Sequence, residues 1–344
     1  MGVLSIFPGI RRRIADPDLA IDLGTANTRM YAAGKGLIAD EPSVVGISAE
    51  TGSVEAIGSR AATLATNPDE SFRSVFPLRA GVIEDLDAAA ALLTPLFRRA
   101  KRFGLIRPRV LACAPTDACD EERAAIVEAA VRAGAASVTI APEPLAAAIG
   151  AGLDVSSPYA QLIVDVGDGV TDIAVICSGE VIMASAVRTA CSDLHAAVRR
   201  SIVDSHGAWL YMREAERLTR TVGVARGARR ITEHTARGAD CRTGRETIVT
   251  VSSRDVSSAM VPVVDTIIGA VLRVVADLPT GTSCEVIESG VCLTGGGAAL
   301  PGLAELLAKE TCLDVQPAAD PLRAVINGAR QMLSVCHRTG LWMN

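Results

Sequence analysis

Two aspartates, each closing an apolar run and each followed by a glycine turn, are the residues of this chain best suited to chemistry. Asp22-Leu23-Gly24-Thr25-Ala26-Asn27-Thr28 lies near the start, and Asp165-Val166-Gly167-Asp168-Gly169-Val170-Thr171 lies in the middle. A third turn, Leu293-Thr294-Gly295-Gly296-Gly297, comes late. Glycines at such places let backbone N–H groups close on an oxyanion with no Cβ in the way, and a strand-ending aspartate can face a hydrated cation. Two such turns facing each other can clamp one nucleotide. Hydrolysing a β–γ phosphoanhydride needs a divalent ion across the phosphate oxygens, donors for the developing charge, and a group that positions the attacking water. Asp22 and Asp165 can hold the ion through water, and amides around Gly24-Thr25 and Gly167-Asp168-Gly169 can hold phosphate oxygens. Glu143, in the Glu143-Pro144 pair ahead of the second turn, can orient the water. In isolation Glu143 has a simpler reading, an acidic residue at the positive end of a helix.

The elements that must position these residues follow from periodicity. Leu19 to Asp22, Arg109 to Cys113 and Gln161 to Asp165 read as strands, while Asp120 to Ala133 has helical spacing with acidic residues in its first turn. The turn after Asp165 leads into Ile173 to Ile176, a hairpin, and Asp22 to Thr25 with Arg29 to Tyr31 repeats the same unit. Strands and helices alternate as in an α/β protein, and the repeated hairpin implies two related lobes with a ligand between them. Gly223 to Arg245, rich in Gly and Arg with few apolar residues, reads as a loop or a small peripheral subdomain.

Composition bounds the rest. The 344 residues are 49% hydrophobic and 21% charged, enough to bury core in two or more lobes, and only 3% aromatic, which leaves few platforms for stacking bases. A net charge of −5 argues against a nucleic-acid partner. The nine cysteines form no C-x-x-C pair and read as buried thiols of a reducing compartment. No apolar run is read as approaching the roughly twenty residues that cross a bilayer, and no signal-cleavage pattern follows the N-terminus, so a cytoplasmic location is expected.

The ordered set of turns resembles the MreB/Mbl family of bacterial actin-like cell-shape proteins, within the actin superfamily. The likeness covers nearly all of the chain after the first dozen or so residues. It includes Ile21 to Thr28, Glu41-Pro42-Ser43-Val44-Val45, Gly81-Val82-Ile83, Glu121, Arg123 and Ala124, and Glu143-Pro144-Leu145-Ala146-Ala147-Ala148-Ile149-Gly150. Later come Ala215-Glu216-Arg217, Leu293 to Gly297 and Asp320-Pro321-Leu322. The resemblance implies an actin-like two-lobed ATPase fold built of duplicated ribonuclease H-like lobes. Residues 1–33, 70–145 and 322–344 would form the first lobe core, with 34–69 as its insert. Residues 146–187 and 250–321 would form the second, with 188–249 as its insert. It implies ATP and Mg²⁺ as cofactors, and Glu143 and Asp165 as catalytic residues. Nucleotide binding would fall to Asp22, Gly24, Thr25, Ala26, Asn27, Gly167, Asp168, Gly169, Val170, Thr219, Thr221, Gly295, Gly296 and Gly297. Asp22, Asp165 and Asp168 would hold the metal through water.

Two departures from the family pattern bear on that site. Where the family has Gly-Gly-Gly-Thr-Thr, this chain has Gly167-Asp168-Gly169-Val170-Thr171, which is similar to the turn of eukaryotic actin, whose added aspartate helps hold the hydrated metal. Thr219 and Thr221 stand where the family places a lysine and a glutamate that reach the nucleoside, and Cys191-Ser192 replaces a Gly-Asp pair. Loss of a hydrogen bond to a charged group costs about 1.5–3 kcal/mol, so weaker nucleotide binding is expected.

Two segments suit a membrane surface. Val3, Leu4, Ile6, Phe7 and Ile10 precede Arg11-Arg12-Arg13, and Phe103-Gly104-Leu105-Ile106 is flanked by Arg98, Arg99, Lys101, Arg102, Arg107 and Arg109. Leu105 and Ile106 align with the apolar membrane loop of the family, and with Phe7 they are the candidate membrane residues. By resemblance the chain polymerises with itself at the inner face of the cytoplasmic membrane, with cell-wall synthesis proteins as partners, and organises wall growth and cell shape. The alternatives are a nucleotide-binding filament scaffold without functional hydrolysis and a small-molecule kinase on the same fold. A heat-shock-type chaperone fits poorly, because too few residues follow Gly297 for a peptide-binding domain.

Overall fold

The computed structural model describes residues 19–64, 71–100, 107–226 and 230–333. They form two compact units that divide after Gly150 and again at Val325, the stretch from Val325 on belonging with the first. Phe7, Leu105 and Ile106 lie outside the described residues.

In the first unit, strands β1 (Leu19–Leu23), β2 (Asn27–Ala32) and β3 (Gly36–Pro42) run antiparallel in succession. Strands β4 (Val45–Ser48), β5 (Val54–Ile57) and β6 (Phe72–Val75) make a separate small sheet, and β7 (Leu78–Arg79) pairs with β8 (Val82–Ile83). Strands β9 (Arg109–Ala114) and β10 (Ser137–Pro142) then join β1 in parallel, giving the order β10-β9-β1-β2-β3. Helix Asp120–Ala133 makes the crossover from β9 to β10. Its first turn carries Asp120, Glu121 and Glu122 against the positive helix end, and Gly134 ends it at φ 109°. Leu19, Ile21 and Met30 from the sheet pack with Leu93, Leu96 and Phe97 of helix Leu86–Ala100, all at most 1% exposed. Burying each such side chain stabilises the unit by about 1.5–3 kcal/mol.

The second unit repeats this plan. Strands β11 (Gln161–Val166), β12 (Thr171–Cys177) and β13 (Glu180–Val187) are antiparallel, and β17 (Val291–Thr294) and β18 (Val315–Pro317) join β11 in parallel, in the order β13-β12-β11-β17-β18. Helix Leu303–Thr311 crosses from β17 to β18 as Asp120–Ala133 does in the first unit. The strand–turn–strand duplication read from sequence is therefore a duplication of whole five-stranded sheets.

Two sequence expectations need correction and one is narrowed. Of the two readings of Gly223 to Arg245, a loop and a small subdomain, the second fits: β14 (Ala208–Leu210), β15 (Glu233–Asp240) and β16 (Glu246–Ser252) form a separate three-stranded sheet, with β15 inside the Gly- and Arg-rich stretch. Helix Ser253–Ala276 has 24 residues and an 18-residue window of mean hydropathy 1.9, long and apolar enough to cross a membrane. It is instead a core helix of this unit, with Met260, Val264, Ile267 and Val271 buried and Asp265 ion-paired to Arg226. Of the eight described cysteines, all free, only Cys113 is fully buried; Cys119, Cys241, Cys284 and Cys312 are exposed, because they sit in turns and at helix ends or on an open helix face.

Candidate functional site

Each unit places its aspartate at the end of the central strand and turns sharply after it. Gly24 N donates to Asn27 O at 3.1 Å, and Gly167 N donates to Val170 O at 2.9 Å, the same bond three residues long in both turns. A Cβ at either glycine would come within 2.9 Å of the carbonyl its own amide bonds, so only glycine closes these turns without displacing them. The amides of Thr25 and Ala26, and those of Asp168 and Gly169, donate to nothing among the described residues. Each turn therefore leaves two adjacent N–H groups without a protein acceptor, the backbone arrangement that an anion cradle would require.

The first turn is braced from a distance. Ser43, 1% exposed, donates its N–H to Ala26 O at 2.9 Å and its hydroxyl to Gly24 O at 2.7 Å, and shares a 2.8 Å hydrogen bond with the Thr28 hydroxyl. Gly81 N donates to Thr25 Oγ1 at 3.0 Å. Both braces sit in motifs quoted for their family likeness, but their contact with the turn was not foreseen. Asp22, 7% exposed, is opposite Arg29 in the β1–β2 register, and Arg29 Nη1 stands 3.3 Å from Asp22 Oδ2 while its Nε donates to Asp40 at 3.0 Å. Burial raises the Asp22 carboxyl above its ordinary range, with Arg29 opposing. In the second unit Asp172 occupies the position of Arg29, opposite Asp165.

The second turn is held by a helix N-terminus. Cys191 N donates to Gly167 O at 3.2 Å and Ser192 N to Asp168 O at 2.9 Å, at the start of helix Cys191–His206. The Thr171 hydroxyl donates to Thr189 O at 2.8 Å. The third turn seats directly on this hairpin. Gly295 has φ 80°, and a Cβ there would overlap Asp165 Oδ1 and Val166 O; one at Gly297 would overlap the Val166 side chain. Gly296 faces the Cys191 thiol, which burial pushes up to about 12, so it is an inert thiol rather than a nucleophile. Asp165, Asp168 and Gly295 to Gly297 are thus brought together in one unit.

Burial, with Glu216 and Asp193 close by and Arg220 opposing, pushes Asp168 up to about 6. Helix Met212–Val222 therefore directs Glu216 and Arg220, which bond each other at 3.0 Å, toward the field of Asp168. Thr219 is 3% exposed with its hydroxyl bonded to Ala215 O at 2.9 Å, and Thr221, exposed, bonds Arg217 O at 2.7 Å. Glu216 and Arg220 are residues that the sequence reading passed over, although Ala215-Glu216-Arg217 pointed to this helix.

Glu143 begins helix Glu143–Ala151, directly after β10. Ala146, Ala147 and Ala148 are fully buried in it, and a Cβ at Gly328 of helix Ala324–Met332 would overlap Ala146 O. Small residues on both helices permit that approach and fix the helix that carries Glu143. Among the described residues no group of three or more His, Cys, Asp or Glu is arranged to ligate a metal directly.

Two sheets of one plan, each ending in an aspartate and a glycine turn with free amides, define an actin-like fold. Residues 16–340 match the family described as MreB/Mbl protein. The chain belongs to that family. It is 35% identical over 317 residues to the cell shape-determining protein Mbl of Bacillus subtilis (strain 168), covering 92% of this chain and 95% of the relative. Its structure is similar to that of MreB 5 of Spiroplasma citri bound to AMPPNP, with a TM-score of 0.86, 27% identity, and 93% and 97% of the two chains covered. The fold is also that of MamK in a double helical filament, at a TM-score of 0.78, 18% identity, and coverage of 92% and 98%.

Proposed function

We propose that this chain binds ATP with Mg²⁺, assembles with itself into filaments coupled to slow hydrolysis, and works at the inner face of the cytoplasmic membrane with cell-wall synthesis proteins to set cell shape. The observation that carries the reading is the pair of matched turns, each presenting two free amides beside a buried aspartate. Asp22, Gly24, Thr25, Ala26 and Asn27 would serve the nucleotide from the first unit, and Gly167, Asp168, Gly169, Val170 and Gly295 to Gly297 from the second. Asp22, Asp165 and Asp168 would hold Mg²⁺ through water, and the ion would neutralise charge on the phosphate oxygens. Glu143 would orient the attacking water, with Asp165 as the second catalytic carboxylate. That a relative named for cell shape matches along nearly its whole length, and that MreB 5 binds AMPPNP, supports the reading.

A filament scaffold without hydrolysis is the second reading, favoured by the Arg29 guanidinium that already occupies one Asp22 oxygen. Pelleting and electron microscopy on lipid with ATP, ADP or no nucleotide, alongside phosphate release, separates the two. Filaments on lipid with phosphate release support the first reading; filaments without phosphate release select the scaffold; no filaments under any condition defeats both.

A further inference from the structure

The first unit carries a groove of about 660 Å³ that the glycine turns do not use. It lies among β5, helix Gly58–Leu64 and helix Leu86–Ala100, with Ala56, Ile57 and Pro95 as an apolar floor and the exposed Arg60, Arg98 and Arg99 at its rim. Glu41 lines it as well, but that carboxylate is committed. Its Oε2 accepts from the Ser59 N–H at 3.0 Å and the Ser59 hydroxyl at 2.8 Å, and Arg99 Nη1 stands 3.5 Å from Oε1. Glu55, also on the wall, accepts from the Ser53 hydroxyl at 3.1 Å. Arg60 and Arg98 form no ion pair among the described residues, so two guanidinium groups stand uncommitted over an apolar floor.

A guanidinium presents parallel N–H donors that match two oxygens of a phosphate, and an apolar floor beneath such donors suits the glycerol end of a phosphoester. The sequence favours a lipid as its source. From Arg98-Arg99 the chain runs through Lys101-Arg102 to Phe103-Gly104-Leu105-Ile106, so the rim arginines adjoin in sequence a segment with the composition of an interfacial contact. We propose that this groove binds the phosphate-bearing headgroup of an anionic lipid, with Arg60 and Arg98 as its donors. The proposal rests on the membrane part of the function proposed above.

The test is sedimentation of the full chain with Mg-ATP on phosphatidylglycerol–phosphatidylcholine vesicles and on phosphatidylcholine alone. A basic side chain near an anionic surface is worth roughly fivefold in partition, so Arg60→Ser with Arg98→Ser should weaken binding to the anionic vesicles about 20-fold. Arg73→Ser with Arg79→Ser, exposed arginines of the same unit that do not line the groove, should weaken it no more than about threefold. Arg60→Lys with Arg98→Lys should remain well below the parent, since lysine keeps the charge but not the fork. Millimolar glycerol 1-phosphate should raise the melting temperature of the parent and not of the Arg60→Ser, Arg98→Ser variant. If that variant sediments like the parent while Leu105→Ser with Ile106→Ser detaches, the groove proposal is wrong and the membrane reading stands. If the parent itself ignores anionic vesicles, the membrane reading and the lipid headgroup fall together, and a melt shift with glycerol phosphate alone would assign a free phosphoester. Displacement from vesicles by polyglutamate and not by glycerol phosphate would overturn the proposal in favour of an acidic peptide.

Discussion

Gly295 stands so close to Asp165 that a single added methyl would overlap both the Asp165 Oδ1 atom and the Val166 carbonyl. The third glycine turn is thereby keyed to the second. Gly295→Ala must both adopt φ 80° and push back that strand end, costs of about 1 and 1–3 kcal/mol. We expect a loss of about 2–4 kcal/mol in urea denaturation. A loss below 1 kcal/mol would show that the turn moves freely and that Asp165 is not fixed by it.

What was legible in the sequence is what local spacing encodes. Asp22-Leu23-Gly24 and Asp165-Val166-Gly167 announce both hairpins because the glycine and the strand-ending aspartate act within a few residues of each other. Their bracing was not legible. Ser43 reaches Gly24 across 19 positions and Gly81 reaches Thr25 across 56, contacts that only the folded sheet creates. Strand β15 has no period-two apolar signal because its two buried positions are the small Ala236 and Gly238, set between Thr235, Arg237 and Ala239, instead of large apolar residues. Helix Ser253–Ala276 is interrupted by Asp265 and Arg273, which hide its apolar face from a reader looking for unbroken runs. On helix Met212–Val222 the family pattern points to Thr219 and Thr221, while Glu216 and Arg220, whose charges act on Asp168, are not marked by it as site residues, because which side chains of a helix reach a distant carboxylate is set by packing and not by local spacing.

The Arg29 guanidinium is the cation nearest Asp22, and removing it leaves a carboxylate that is only 7% exposed. Arg29→Met should destabilise the protein by about 1–3 kcal/mol at pH 8. Burial already raises this carboxyl, and loss of Arg29 raises it further. The folded variant then binds its proton more tightly than the unfolded chain does, so stability is retained at low pH and lost as pH rises. The deficit should shrink between pH 8 and pH 5 in denaturant titrations. A deficit that grows on acidification would invert the assignment.

Glu143 starts a helix that Gly328 and three buried alanines hold in place, so its side chain can be changed without moving the backbone. Glu143→Ala should slow phosphate release roughly 100-fold while Mg-ATP still raises the melting temperature as in the parent, because a water-positioning group acts mainly in the transition state. Turnover equal to the parent's would remove Glu143 from the chemistry.

Restoring the family residues at Thr219 and Thr221 tests the nucleoside side. Thr219 is buried and bonded to Ala215 O, so Thr219→Lys must bring an ammonium into a space now filled by a methyl and a hydroxyl. We expect it to cost about 2 kcal/mol or more, whereas exposed Thr221→Glu should be within about 0.5 kcal/mol of the parent. Calorimetric titration of the double variant should show no gain in nucleotide affinity. A several-fold gain without loss of stability would mean the helix turns position 219 toward the ligand when nucleotide binds.

Asp168 separates the site's demands from those of the fold. Burial, then Glu216 and Asp193, pushes its carboxyl up to about 6, above the ~3.9 of an unfolded chain, with Arg220 opposing. The folded state therefore holds this proton more tightly, and the stability it contributes is complete below about pH 4 and lost as pH rises through about 6. Above that, the ionised carboxylate works against the nucleotide-free fold by about 1–2 kcal/mol once partial exposure is allowed for. Asp168→Asn should accordingly exceed the parent by that amount in nucleotide-free denaturation at pH 7.5, with the gap closing toward pH 4.5. Added Mg-ATP should reverse the order, because an aspartate helping to hold the ion recovers its cost when the ion arrives and an asparagine does not. Equal stabilities at pH 7.5 would sink the electrostatic account, and an undiminished response of Asp168→Asn to Mg-ATP would take Asp168 out of the metal site.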